Sequence, residues 1–70
     1  MTSPKTAGRI FREARLKKGW TQVEVAEKAG LGVNTYPKIE RGISKPSAAS
    51  VKKLVKVLDI EPSKILSLLD

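Results

Sequence analysis

The chain has 70 residues, with 14 Lys and Arg against 7 Asp and Glu, a net charge of +7, and neither His nor Cys. That length bounds it to one domain with a thin core, expected over residues 1–70 with its centre at about 7–66. Without Cys there is no disulfide frame, thiolate zinc site or cysteine nucleophile. Without His, the commonest general base and the commonest metal ligand are both missing. The expectation is therefore no enzyme, no cofactor and no metal. No apolar run approaches the roughly 20 residues that cross a bilayer, and none behind Met1 to Lys5 could act as a secretory signal. A cytoplasmic protein with no membrane partner is expected.

The charge is unevenly distributed. Residues 1–45 hold ten basic and four acidic residues, and residues 46–70 hold four and three, so +6 of the +7 lies in the first part. A localised positive field of this kind suits a polyanion such as nucleic acid. Phe11, Trp20 and Tyr36 are the three aromatic residues, too few for the stacking platforms of single-strand binders. Phe11 and Trp20 read as core.

In chain order, a first helix is predicted from Ser3 or Thr6 to Lys18, with Pro4 suited to its first turn and Gly19 to its end. Ala7, Phe11 and Ala14 share a face of it, with Ile10 beside them. Thr21 and Glu24 are spaced as a capping box for a second helix, Gln22 to Ala29, which Gly30 ends. Trp20 is placed to staple against Val25. A third helix is predicted from about Gly32 to Arg41, closed by Gly42, and Ile43 to Pro46 reads as a loop. Ser47 caps a fourth helix whose stripe is Val51, Leu54, Val55 and Leu58. Asp59-Ile60 breaks it, and Glu61-Pro62 opens a fifth carrying Ile65, Leu66 and Leu69. No stretch alternates at period two, so the fold is expected to be all-α.

The second and third helices have the spacing of a helix-turn-helix. Ala26 is small where the third helix crosses, and Gly30 tolerates a positive φ at the corner. Val25, Ala29, Leu31, Tyr36 and Ile39 would clamp the pair. On Thr21-Gln22, Ala26, Gly30, Ile39-Glu40-Arg41-Gly42 and Lys45-Pro46-Ser47, the chain resembles the Cro and phage-repressor type of helix-turn-helix domain, which includes xenobiotic-response-element-like regulators. Arg12-Glu13-Ala14-Arg15 and Gly19, with Leu58 and Ile60, extend the resemblance over residues 7–66.

The resemblance implies a five-helix, lambda-repressor-like fold and sequence-specific binding of double-stranded DNA by a small, nucleoid-associated, repressor-like regulator. It implies a buried ion pair between Arg15 and Glu40, as a charge facing a core requires. Base edges would be read by Val33, Asn34 and Lys38: Asn suits adenine, Lys suits guanine, and Val suits a thymine methyl. Thr21, Gln22, Thr35, Tyr36, Arg41 and Lys45 would hold phosphates, with Gln22 at a helix start where anions are favoured. A homodimer would form through Ile65, Leu66, Leu68 and Leu69, reading a palindrome. The alternative is an adaptor or antitoxin-like module that keeps the fold without reading bases.

Three residues depart from the pattern. Gly32 stands where the family has a Ser or Thr cap. Tyr36 replaces a branched aliphatic clamp, so its hydroxyl must reach water, a phosphate or a backbone group. Pro37 falls in the second turn of a helix begun at Gly32, at a cost of about 3 kcal/mol. The other option is a later start, with Asn34 or Thr35 as cap and Pro37 in the first turn. Val33 would then lie off the helix.

Overall fold

The computed structural model describes residues 4–65. Among them are four helices and no strand: α1 (Pro4–Lys18), α2 (Gln22–Ala29), α3 (Thr35–Glu40) and α4 (Ala48–Leu58). A four-residue helical turn, Pro62–Ile65, follows. The expected continuation of that turn through Leu66, Leu68 and Leu69 lies outside the described residues, as does the side chain of Ile65.

Local chemistry sets the helix ends. Thr21 is the N-cap of α2: its hydroxyl accepts the Glu24 N–H at 3.1 Å, and the Glu24 carboxylate accepts the Thr21 N–H at 3.1 Å. Such a cap contributes about 1 kcal/mol. Ser47 caps α4 in the same way, its oxygen accepting the Ser50 N–H at 3.1 Å. Gly30 ends α2 at φ 68°, a conformation that costs glycine nothing. The Leu31 N–H then reaches back to the Ala26 carbonyl at 2.8 Å, and the chain turns toward α3.

Phe11, Val25, Ala26, Ala29, Tyr36, Ile39, Val51, Leu54 and Leu58 form the centre of the core, closed at its edges by Ala7 and Ile60. Helix α1 packs on α3 and α4, and α2 packs on the same two. Trp20 is half-buried at the margin, with the ammonium groups of Lys18 and Lys28 at 5.6 and 4.8 Å from its ring centroid.

The third helix takes the later of the two starts that the sequence allowed. It begins at Thr35 rather than Gly32, and Asn34 rather than Gly32 occupies the cap position, without a side-chain cap bond. The reason is Pro37. The Gly32 carbonyl already accepts both the Thr35 N–H at 2.9 Å and the Tyr36 N–H at 3.1 Å, and Asn34 has helical angles, φ −93° and ψ −16°. The next rung, from residue 37 to the Val33 carbonyl, cannot form because proline has no N–H. Regular helix resumes with Pro37 as its third residue, inside the first turn, where a missing donor costs little.

Gly8 was not marked by any sequence pattern, yet it sets the distance between α1 and α3. A Cβ placed there would sit 2.5 Å from the Ile39 carbonyl oxygen and 2.7 Å from the Glu40 carbonyl carbon, with the Glu40 oxygen nearer still. Those neighbours are backbone and cannot rotate away. Gly8→Ala raises helix propensity by nearly 1 kcal/mol, but with backbone atoms this close the forced displacement lies at the upper end of overpacking costs, about 3 kcal/mol. Its Tm should fall by about 5 °C or more in thermal unfolding followed by circular dichroism. A Tm equal to or above that of the wild type would contradict the contact.

Candidate nucleic-acid interface

The end of α3 is tied to the rest of the domain through one carboxylate. The Glu40 side chain is 3% exposed and accepts from the Arg15 guanidinium twice, Nε to Oε2 at 2.7 Å and Nη2 to Oε1 at 3.1 Å. The third guanidinium nitrogen, Nη1, donates to the Trp20 carbonyl at 2.9 Å, closing the exit of α1. Gln22 Nε2 donates to Glu40 Oε1 at 3.1 Å from the start of α2. One buried group therefore joins α1, α2 and α3.

Burial by itself pushes the Glu40 carboxyl up, but the contacts of Arg15, Tyr36 and Gln22 outweigh it and hold it below the ordinary carboxylate value. The Glu40 hydrogen bond raises Arg15 further, against the effect of its own burial.

The residues expected to meet DNA divide by exposure. Val33, Asn34, Thr35, Lys38, Arg41 and Lys45 are exposed, as is Thr21, while Gln22 is half-buried. Val33 and Asn34 precede α3, and Thr35 and Lys38 lie on it. Arg41 and Lys45 follow it on the way to α4. The Thr21 oxygen is engaged by Glu24, and its O–H remains a donor.

Tyr36 must be corrected. It was expected to hold a phosphate, but it is 0% exposed and among the largest fully buried side chains. Its hydroxyl is buried without a hydrogen bond of good geometry, close to Glu40 and Arg15. Burial first, then the neighbouring carboxylate, drives its ionisation far above the usual range. No phosphate can reach it. The helical period puts Tyr36 on the same side as Ile39 and Glu40, and that side faces α1 and α2.

Two residues outside the expected set belong to this region. Ile43, between Arg41 and Lys45, is the most exposed large apolar side chain among the described residues, at 69%. Gly8 is the other, because it lets α1 approach the backbone of Glu40. Among the described residues, no group of three or more His, Cys, Asp or Glu is placed to hold a metal ion. No helix there is long and apolar enough to cross a membrane.

The sequence profile of a helix-turn-helix family matches residues 11–65. This span contains α2, the αL corner at Gly30 and α3. The chain belongs to the Cro/C1-type helix-turn-helix family. This helix-turn-helix chain is 34% identical over 57 residues to the cryptic phage CTXphi transcriptional repressor RstR of Vibrio cholerae, covering 81% of this chain and 51% of RstR. It is 38% identical over 58 residues to the uncharacterized HTH-type transcriptional regulator YazB of Bacillus subtilis, covering 83% and 84%. Against YqaF of the same bacterium it is 46% identical over 44 residues, covering 63% and 58%. It thus spans about half the length of several curated relatives. Among solved structures, the restriction-modification controller protein C.AhdI of Aeromonas hydrophila superposes with a TM-score of 0.81 at 34% identity, covering 89% of this chain and 94% of that one.

The Arg15–Glu40 pair has a pH signature. A carboxyl whose folded pKa is depressed contributes stability that is present above its unfolded value and lost as pH falls through the folded one. The wild-type Tm should therefore begin to fall as pH drops below about 4.5. Arg15→Met leaves Glu40 buried without its cation, so burial wins and the carboxyl shifts upward. That variant should lose about 3–5 kcal/mol at neutral pH, more than about 10 °C in Tm, and because its Glu40 carboxyl then binds a proton more readily folded than unfolded, part of that loss should be recovered as pH falls. Calorimetry between pH 3 and 8 measures both effects, and an unchanged neutral-pH Tm contradicts the pair's structural role.

Proposed function

We propose that this chain binds double-stranded DNA sequence-specifically and acts as a transcriptional regulator of repressor type. The observation that carries this reading is the exposed polar set at the start of α3, mounted on a helix-turn-helix that matches the family. Asn34, whose amide has no partner among the described residues, and Lys38 supply donors and an acceptor for base edges in the major groove, and Val33 an apolar contact. Thr21, Gln22 and Thr35 hydrogen-bond phosphates, and Arg41 and Lys45 neutralise them. The names of RstR, YazB and C.AhdI, each a repressor, regulator or controller, support the regulatory part.

The module acts as a single domain with its centre over residues 7–66, in a cytoplasmic, nucleoid-associated setting, and it catalyses no reaction. It pairs with a second copy of itself, as expected of a reader of palindromic sites. The adaptor reading would be favoured by a proline that broke the recognition helix, and a first-turn position for Pro37 removes that argument.

Selection from a random duplex pool followed by fluorescence anisotropy tests the proposal, and a palindromic consensus is expected. Lys38→Ala should reduce discrimination at one base position by about 1–3 kcal/mol. Arg41→Ala should weaken binding to all duplexes alike and make the log–log salt slope shallower by about 0.9. Failure to bind any duplex at low salt would end the DNA-binding reading.

A further inference from the structure

Three donors converge on the two oxygens of Glu40: Arg15 Nε on one, and Arg15 Nη2 and Gln22 Nε2 on the other. Arg15 has no acceptor to offer, so both atoms at the tip of residue 40 must accept. Only a carboxylate satisfies that requirement. An amide at position 40 would turn an NH2 group against one of the donors.

The same argument orients Gln22. A carboxylate that cannot donate must face the nitrogen end of the Gln22 amide, not its oxygen. One Nε2 hydrogen is then committed to Glu40. The second is held rigidly at about 120° from the first by the planarity of the amide. The backbone N–H groups of Gln22 and Val23, at the open first turn of α2, have no acceptor among the described residues. A phosphate over this helix start would meet those two N–H groups and the remaining Nε2 hydrogen together.

We infer that Glu40 is a positioning residue for the phosphate contact of Gln22. Its carboxylate presents the amide donor-end first, while the bidentate Arg15 neutralises the negative charge that would otherwise repel the phosphate. The inference rests on the DNA-binding reading above and adds to it a dependence of α2's backbone contact on a residue at the end of α3. It also gives the Arg15–Glu40 pair a part in binding as well as in stability.

A double-mutant cycle on duplex affinity tests it. The wild type, Gln22→Ala, Glu40→Gln and the double variant are titrated with the selected duplex at a temperature where circular dichroism finds each folded. Gln22→Ala should weaken binding about fivefold in the wild-type background and by less than about twofold in the Glu40→Gln background. Independent losses that multiply in the double variant would overturn the inference while leaving the DNA-binding reading intact. No duplex binding by the wild type would overturn both. If Glu40→Gln does not fold, side-chain amide NMR of the wild type decides. One Gln22 Nε2 proton should be protected from exchange in the free protein, and the other should shift on adding duplex. Two freely exchanging protons, or no shift on binding, would overturn it.

Discussion

The carboxylate of Glu40 is the constraint on which the arrangement of this domain depends. It is a nearly fully buried negative charge at the last residue of α3, and such a charge is tolerated only when paired and hydrogen-bonded. The pairing is with the guanidinium of Arg15, which also binds the Trp20 carbonyl where α1 gives way to α2. The end of α3 is thereby located relative to the end of α1 and the start of α2. Gly8 permits the close approach of α1 from the other side, against the Glu40 backbone. A longer side chain at residue 8 would push α3 away from α1 and strain the ion pair with it.

With its end held, α3 has a defined outer surface, and Pro37 shapes its beginning. The missing N–H opens one rung of the ladder between Gly32 and regular helix, so Val33 and Asn34 form a turn that leads into α3. Their side chains are exposed and uncommitted, whereas Tyr36 and Ile39, one helical turn apart, are clamped inside. The proline thus costs less than a mid-helix position would suggest, because the bond it forfeits belongs to a turn already supported by the Gly32 carbonyl.

The charge distribution follows the same division. Arg15 is consumed internally. Lys18 meets Asp59 at 3.5 Å, and Arg9 lies 3.9 Å from Glu13 on the surface of α1. Both are solvent-exposed pairs that contribute little to stability. Lys38, Arg41 and Lys45 have no carboxylate partner among the described residues, and they remain available around α3.

Much of this was legible in the sequence. Helix ends were marked by Thr21, Gly30 and Ser47, core stripes by the spacing of Phe11, Val25, Leu54 and Leu58, and the family by motifs around Gly30 and Glu40. These signals act between residues a few positions apart, so the sequence by itself determined an all-helical domain with a helix-turn-helix and an excess of positive charge. Only the tertiary structure decided the contact at Gly8, the burial of the Tyr36 hydroxyl and the capture of the Gln22 amide by Glu40. Each depends on where helices distant in sequence come to lie in space. Gln22 and Glu40 are 18 residues apart, and no local periodicity links a residue opening one helix to a residue closing another.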